Sequence, residues 1–500
     1  MKKILLPIML LLCSIASWAN NVQISNVAVS GTTATFNLSW ENSWNSTSNV
    51  DTLYPTNWDA VWIFVKVQSN ATNLWSHQNL AATGHSATGA TALSVETQAD
   101  NVGVFIRRTN AGHGNITNAA ISLELGTLPA GSQYNFKVFG IEMVRVPAGS
   151  FYIGDGNTAS VGVFEKTLIT PSTGALPVGT LFTSSNAVPA AFPKGAGGFY
   201  AMKYEITNEQ YADFLNTMTY DQQASFFAVA PNAIRKTNVF GAVSPGLYAR
   251  GYIQIDTPGV NNTTPAVVGV NLNGDDIFND LPDGLNVAQA NLGPRRFIAY
   301  LDWSGLRPMT EFEFEKICRG TRLNGNPVQP IMNEYPWGTL DYAAYISTTV
   351  GITDKDKPNE RFVGAVINGR CFGQSGNYPS RVGIFAEGAT GRAAAGAGFY
   401  GNMNMGDNVL ELVVSAHANG TSYTGNLGDG VLAVNAEANQ IGWPSYTLIN
   451  AYGAKGTFFG NNPSGSIAGI YTARTSDRQY MVSTAVIGDA VGAYGGRGVR

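Results

Sequence analysis

Cysteine placement is the first test of the chemistry that this chain could do. The 500 residues contain three cysteines, and Cys13 lies in an apolar segment near the N-terminus. Cys318 and Cys371 remain, which is enough for at most one disulfide. Cys318 follows Ile317 in the last turn of a predicted helix, where a small buried hydrophobe is the simpler interpretation. Cys371 stands alone in the loop sequence NGRCFGQ. No neighbouring pair of thiols is therefore predicted.

Histidines and paired carboxylates do not form a recognisable catalytic set either. His417 is the only histidine after residue 140, which excludes a histidine cluster for non-haem iron and a Ser-His-Asp set there. The other histidines lie earlier in the chain without metal-ligand spacing: His77, His85 and His113. Asp275 and Asp276 in NGDDIFND could bind Ca²⁺, but the spaced ligands of an EF-hand are absent, and a solvated turn is favoured.

The N-terminal segment MKKILLPIMLLLCSIASWAN has the features of a secretory signal. Lys2 and Lys3 precede a short apolar run, and Ser17 and Ala19 have the spacing of a cleavage site. We therefore predict a signal peptide over residues 1–19. No later stretch approaches the roughly 20 apolar residues that a membrane helix requires, so we expect no membrane span. The mature protein is expected to be periplasmic, on the outer surface or secreted.

Residues 20–140 alternate apolar and polar side chains in short runs that Gly, Ser, Asn and Thr separate. Runs such as TATFNLSW, AVWIFVKVQ and YNFKVFGIEMV are typical of strands. About seven strands at this spacing predict an antiparallel β-sandwich. The formal net charge of −4 and the 13% share of charged residues argue against nucleic acid as a partner.

After residue 140 short helical segments alternate with long Gly- and Asn-rich loops. The segment EITNEQYADFLN, residues 205–216, has Thr207 or Asn208 as an N-cap and predicts an amphipathic helix. TEFEFEKICR, residues 310–319, predicts a second helix with a Thr cap and glutamates in its first turn. The glutamates of this helix are placed to pair with flanking arginines: Glu311, Glu313 and Glu315 with Arg307 and Arg319.

Six segments, taken in order over residues 141–500, resemble the formylglycine-generating enzyme family, also called the sulfatase-modifying factor family. Their order along the chain is what carries the resemblance, because each match alone is weak. The segments are MVRVPAGSFYIG, YEITNEQY, LRPMTEFEFE, YPWG, GNMNMGDNVLE and the closing GGRGVR. The resemblance implies a variant C-type-lectin fold with a small twisted sheet, two helices and ordered loops. We therefore expect an α+β chain, in which the β-sandwich of residues 20–140 precedes the family domain of residues 141–500.

The resemblance also implies a specific chemistry, for which this chain lacks the residues. Active members hold copper with two neighbouring cysteines near the C-terminus and oxidise a substrate cysteine with oxygen. The corresponding stretch here lies between GAKGTF, residues 453–458, and YTARTSDR, residues 471–478, and it contains no cysteine. We therefore expect no copper, and we expect a protein that is not an enzyme.

A structural Ca²⁺ ion is a further implication of the resemblance. Related enzymes bind it through a side-chain amide, two backbone carbonyls and a glutamate. These ligands map onto Asn404, Asp407, Val409 and Glu411. Asp407 replaces the usual glycine, and Leu410 and Leu412 replace the usual tryptophans. Oxygen ligands on a tight loop suit Ca²⁺, which would hold the loop in place and take no part in catalysis.

Three functions remain open from the sequence. The first is a non-catalytic exported module that binds or assembles with an envelope or extracellular protein or glycan. The second is an oxidase of the formylglycine-generating type, and the third is a lectin-fold receptor with a diversified C-terminal surface over residues 480–494. We favour the first, because it requires no cofactor. Its binding surface is predicted where the family's active site would lie, at Arg474, Asp477, Arg478 and Tyr480.

Overall fold

The computed structural model describes residues 21–46, 56–157, 163–181, 185–241, 249–260, 263–321, 326–341, 351–363, 379–386, 391–457, 471–481, 488–489 and 492–500. Within these ranges the fold is mostly β, with four α-helices. None of the described helices is long and apolar enough to cross a membrane.

The first part of the chain forms two antiparallel sheets that share an apolar core. Its strands are β1 Gln23–Ser30, β2 Thr33–Asn45, β3 Asp59–Ser69, β4 Trp75–Gln78, β5 Ser86–Thr88, β6 Leu93–Thr97, β7 Val104–Arg108, β8 Gly112–Glu124 and β9 Tyr134–Val146. One sheet has the order β1-β2-β8-β5, and a larger sheet includes β9-β3-β7-β6 with β4 paired to β3. Alternate residues of β2, such as Phe36 and Leu38, pack against Val61 and Ile63 of β3. The period-two pattern of the sequence thus places one face of β2 in the core.

Strand β3 is buried on both faces, which explains its continuous apolar run AVWIFV. Val61 and Ile63 face the four-stranded sheet. Trp62 and Phe64 point to the opposite side and pack in a second, larger core with residues from the C-terminal part of the chain. Trp62 also donates its indole N–H to the carbonyl oxygen of Ser304 at 2.9 Å. Both halves of the chain are therefore packed on one strand.

Strand β9 joins the two halves by backbone hydrogen bonding. It pairs with the whole length of β3, from Ser69 opposite Tyr134 to Asp59 opposite Val144. Its C-terminal end also pairs with a strand at Phe199–Met202, which belongs to the second half. The predicted boundary after residue 140 therefore lies inside a strand.

The remaining elements are short and are connected by long loops. The strands are β10 Phe151–Ile153, β11 Thr167–Ile169, β12 Phe199–Met202, β13 Gln254–Thr257, β14 Val267–Gly269, β15 Arg307–Pro308, β16 Gly351–Thr353, β17 Arg361–Val363, β18 Leu410–Val414, β19 Tyr452–Lys455, β20 Tyr494–Gly495 and β21 Gly498–Val499. The helices are α1 Asn208–Leu215, α2 Tyr220–Phe226, α3 Pro294–Trp303 and α4 Glu311–Arg319, with 3₁₀ turns at Ala249–Gly251, Leu281–Asp283 and Ala418–Ser422. The larger sheet continues from β9 through β12 and β21 to β15, and β18 pairs with β19 and β20 in a separate sheet.

The two predicted helices are confirmed, and their N-terminal caps explain where they begin. Thr207 accepts a hydrogen bond from the backbone of Gln210 and starts α1, and Thr310 does the same with Glu313 at α4. Both are capping boxes, in which the third helical side chain bonds back to the cap. The expectation of two helices is wrong for the whole domain, because α2 and α3 are also present. Helix α2 has its own capping box at Thr219.

Candidate functional site

Helix α4 carries three glutamates into the core of the second half. Glu311, Glu313 and Glu315 are each no more than 1% exposed. Glu313 receives two hydrogen bonds from Arg307, at 2.9 and 2.6 Å, and Arg319 bonds Glu315 at 3.0 Å one turn along the helix. The predicted pairing of these glutamates with Arg307 and Arg319 is confirmed for Glu313 and Glu315. Buried carboxylates of this kind are stable only with a paired cation, so the helix holds its surrounding loops by charge.

The third glutamate pairs with Arg478, one of the predicted binding residues. Arg478 donates from Nε to Glu311 at 2.6 Å and from Nη2 at 2.9 Å, and its guanidinium lies 4.1 Å from the ring centroid of Phe164. Glu311 also accepts the backbone N–H of Ala416 at 2.6 Å. Arg478 is 2% exposed, so it has almost no surface with which to contact a partner. Its contacts stabilise the fold, which does not fit the role predicted for it.

The other predicted binding residues lie at the surface or close to it. The guanidinium of Arg474 stacks on the ring of Tyr471, which is 42% exposed, with 4.3 Å to the ring centroid. Asp477 is partly buried, and its carbonyl oxygen accepts a 2.6 Å hydrogen bond from Lys455. Tyr480 is partly buried against the larger core. We call the stacked pair of Tyr471, which is exposed, and Arg474, which is partly buried, the Arg474 rim.

One polar atom of the Arg474 rim lacks a partner among the residues that the structure describes. It is Nε of Arg474, which is buried and has no hydrogen-bond acceptor there. A guanidinium on an aromatic ring is a frequent anchor for carboxylates and for partner proteins, since it is planar and weakly hydrated. The rim follows residues 458–470, where the family's cysteine pair would lie, and those residues are outside the described ranges.

Cys318 is sealed inside the protein, as the sequence predicts. It is 1% exposed and lies in an apolar cluster with Phe314 and Phe399. Burial, and then the nearby charge of Glu411, raise the pKa of the Cys318 thiol well above its usual range. A thiol that stays protonated and cannot be reached by solvent is a poor metal ligand. Cys371, the other cysteine beyond the predicted signal, lies outside the described residues.

Glu411, the acidic residue of the predicted calcium set, is paired with an arginine. Its two oxygens accept hydrogen bonds from Arg497, at 2.7 Å from Nε and 2.5 Å from Nη2. Arg497 and Glu411 are both fully buried. Arg497 also donates to the backbone carbonyls of three further residues: Met202 at the end of β12, Lys203 and Met403. The guanidinium therefore already supplies the positive charge that this carboxylate needs.

Asn404 of the predicted calcium set is also engaged: it accepts the N–H of Gly383 at 2.7 Å and donates to Asp407 at 2.8 Å. The N–H of Val409 donates to Glu205 at 3.3 Å. The second carboxylate oxygen of Asp407 is buried and has no partner among the described residues. Burial in the first place raises the pKa of Asp407 to about 7.

The side-chain oxygens of two predicted ligands, Asn404 and Glu411, are thus already hydrogen-bonded to protein groups, whereas the predicted ligands at Asp407 and Val409 are backbone carbonyls. Among the described residues, no group of three or more His, Cys, Asp and Glu side chains is placed to hold a metal. Calcium binding at Asn404, Asp407, Val409 and Glu411 stays a prediction of the resemblance alone.

Two residues of this region had no assigned role in the sequence. Arg497 lies in the closing GGRGVR segment, which supported the resemblance without indicating a partner for the arginine. Tyr471 precedes Arg474 by three residues, a spacing that brings side chains together on a helical turn. That spacing was a usable signal for Tyr471, whereas the partner of Arg497 is 86 residues away.

Comparison with known proteins agrees with this architecture. The family model of the sulfatase-modifying factor enzyme 1-like domain matches residues 135–434, a range that begins within β9. No curated protein matches the chain. Because the matched range covers more than half of the sequence, the chain belongs to the sulfatase-modifying factor family, in which it is a member without a cysteine pair at the expected position.

Proposed function

We propose that the chain is an exported, non-catalytic member of this family that binds a protein or a glycan at the cell envelope. The observation that carries the proposal is the burial of Cys318 in the apolar cluster with Phe314 and Phe399. A copper site of the family's kind requires two accessible thiolates, and Cys371 would be the single remaining candidate. The predicted signal peptide over residues 1–19 supports export to the periplasm, the outer surface or the medium.

The proposed architecture is a β-sandwich followed by a C-type-lectin-like domain. The shared core of the four-stranded sheet and β3 supports the first part. The small sheet of β18, β19 and β20, with long ordered loops around it, supports the second. Folds of this kind bind ligands on their loop surfaces. This favours the Arg474 rim as the place where a partner binds. The fold alone does not assign an activity.

The binding proposal predicts a loss of affinity without a loss of fold when the Arg474 rim is removed. We expect Arg474→Ala with Tyr471→Ala to weaken binding to isolated envelope material about 30-fold, the effect of one arginine or tyrosine anchor. Digesting that material with a protease or with glycosidases before the assay distinguishes a protein partner from a glycan.

The matched control is Arg235→Ala. Arg235 is exposed and, like Arg474, lies on an aromatic ring, with its guanidinium 4.8 Å from the centroid of Phe278. If the rim variant and the Arg235 variant bind the envelope material with equal affinity, the Arg474 rim is not the binding surface. Circular dichroism of both variants should match that of the parent protein.

Family membership favours one alternative, an oxidase that acts on protein cysteine. We expect no turnover when the purified protein is incubated with Cu(I), oxygen and a sulfatase-motif peptide, with mass spectrometry as the readout. Conversion of the peptide cysteine to an aldehyde would reverse the proposal. The diversified receptor is the remaining alternative, and residues 480–494 that it concerns lie partly outside the described ranges.

A further inference from the structure

The loop of residues 271–284, which follows β14, is rich in the oxygen ligands that hard cations prefer. Its sequence is NLNGDDIFNDLPDG, and we call it the Asn271 loop. It contains Asp275 and Asp276, for which a solvated turn is the expectation. Asp276 agrees with that expectation, since its side chain is 84% exposed and pairs with two exposed cations of a neighbouring segment. The oxygens of interest lie on either side of this turn.

Two hydrogen bonds fold the Asn271 loop back on its start. The backbone N–H of Asn279 donates to the carbonyl oxygen of Val270 at 2.9 Å. The backbone N–H of Val270 donates in return to Oδ1 of Asn279 at 2.8 Å. Asp280, the next residue, therefore lies close to the start of the loop.

The last turn of the loop lies against the same start. Gly284 packs on Leu272 so closely that a Cβ at Gly284 would lie 2.5 Å from Cδ1 of Leu272. Asp283, the residue before this glycine, accepts the backbone N–H of Asp280 at 3.1 Å through Oδ2. Burial raises the pKa of Asp283 to about 6, and the backbone N–H groups of Asp280 and Asn273 oppose this effect. The Asp283 carboxylate is therefore placed between the first and the last residues of the loop.

Three oxygens at this place are buried and have no hydrogen-bond partner among the described residues. They are Oδ1 of Asn271, Oδ1 of Asp280 and Oδ1 of Asp283. Asn271 is 3% exposed and Asp283 is fully buried, so bulk solvent does not reach these two side chains. The amide nitrogen of Asn271 donates to the carbonyl oxygen of Asp275 at 2.8 Å, which makes the unpaired atom of the amide its oxygen. Buried oxygens of this kind cost stability unless a donor or a cation meets them.

No lysine or arginine balances these carboxylates in the part of the chain that the structure describes. Arg235 and Lys236 contact the loop, but both pair with the exposed carboxylate of Asp276. Asp280 and Asp283 have no ion pair with any described residue. A group that meets three oxygens, two of them on carboxylates, must carry positive charge.

The chemistry of the three oxygens favours Ca²⁺ over other metal ions. Histidine and cysteine, the ligands that zinc and copper prefer, are absent from residues 271–284. Ca²⁺ accepts amide and carbonyl oxygens in irregular geometry, whereas Mg²⁺ demands a near-ideal octahedron. No third acidic side chain joins the group within the described ranges. Backbone carbonyls and waters would therefore complete the six to eight ligands of the ion.

We propose that the Asn271 loop is a calcium site, in which Asn271, Asp280 and Asp283 each supply one side-chain oxygen. None of these residues belongs to the calcium set that the family resemblance implies. The ion ties the start of the loop to its last turn. In that turn the carbonyl oxygen of Gly284 accepts a 3.1 Å hydrogen bond from Asn208, the first residue of α1. Calcium at this loop therefore also stabilises the position of α1.

The first experiment measures how fast chymotrypsin cleaves the purified protein after Phe278, a partly exposed residue in the middle of the loop. Sites with few charged ligands outside cells have dissociation constants of about 0.1 to 1 mM. About 10 mM CaCl₂ should then slow this cleavage about tenfold or more relative to EGTA, because only the open loop is cut. A small chymotrypsin substrate corrects for any effect of calcium on the protease. Equal protection by MgCl₂, or by NaCl at the same ionic strength, would overturn the proposal.

Matched variants identify the ligands. Asp283→Asn removes one charged ligand and should reduce the calcium protection to about twofold or less. Asp280→Asn, at a partly exposed residue, gives the same test if Asp283→Asn does not fold. Asp276→Asn is the control on the same loop, and it should keep the full protection because its carboxylate faces solvent. Calcium protection that persists in the Asp283 and Asp280 variants would place the ion elsewhere and contradict the proposal.

The melting temperature separates calcium binding from a purely structural role of Asp283. In EGTA at neutral pH the buried carboxylate is ionised without a counter-charge, so Asp283→Asn should leave the melting temperature unchanged or raise it. In CaCl₂ the same substitution should lower the melting temperature by about 2 °C, because the parent protein gains stability from the bound ion. An equal decrease in both buffers would show that Asp283 acts only through its hydrogen bonds, and the calcium site would then be rejected.

Discussion

Replacing Arg497 with methionine is expected to lower the free energy of unfolding by about 3 to 5 kcal/mol. The substitution leaves the fully buried carboxylate of Glu411 without the two hydrogen bonds that now neutralise it. It also removes the donors that hold the carbonyl oxygens of Met202 and Met403. Urea unfolding followed by tryptophan fluorescence measures the change.

Two further variants identify the cause of this loss. Adding Glu411→Leu to Arg497→Met should restore most of the stability, because removing both members of a buried pair is often neutral. Arg235→Met is the control for loss of an exposed pair with Asp256, and it should cost about 1 kcal/mol or less. If Arg497→Met costs no more than Arg235→Met, Arg497 does not carry the charge of Glu411.

Replacing Arg478 with methionine is expected to have a similarly large effect on folding. Glu311 would keep one donor, the N–H of Ala416, and lose the guanidinium that balances its charge. We expect a loss of about 3 to 5 kcal/mol in the free energy of unfolding and a shorter lifetime towards protease.

The comparison with Arg474 separates folding from binding in this region. Arg474→Ala should change stability by about 1 kcal/mol or less, because its side chain is only partly buried and stacks on an exposed ring. The Arg478 variant could instead fold as stably as the parent and lose only partner binding. That result would show that Arg478 is part of the binding surface. The two arginines are four residues apart, but Arg478 is buried and Arg474 is only partly buried. This difference in burial is why we expect different roles for them.

Local signals in the sequence predicted the elements that depend on neighbouring residues. The caps at Thr207 and Thr310 are confirmed. They are predictable from the sequence because a capping box requires only four consecutive residues. The same signal is present at Thr219, outside the two predicted helices. Burial of Cys318 also agrees with its prediction, since its place beside Ile317 on an apolar face of α4 is a local property.

Partners that are distant in sequence were not predictable from one chain. The charges of Arg478 and Arg497 were visible, but their glutamates are 167 and 86 residues away. Proximity to the expected active site made Arg478 a binding candidate, whereas the fold uses it to balance α4.

Strand β21 holds two parts of the larger sheet together. Residues 498–499 lie between β12 and β15, and the backbone of Arg500 exchanges two 2.7 Å hydrogen bonds with Tyr200. Both strands that β21 joins precede it by many residues in the sequence, so these pairings are among the contacts that close the longest loops. Until β21 is in place the sheet stays divided, with two unpaired edges. A folding intermediate without β21 is therefore the species in which these edges are open to pairing with another chain.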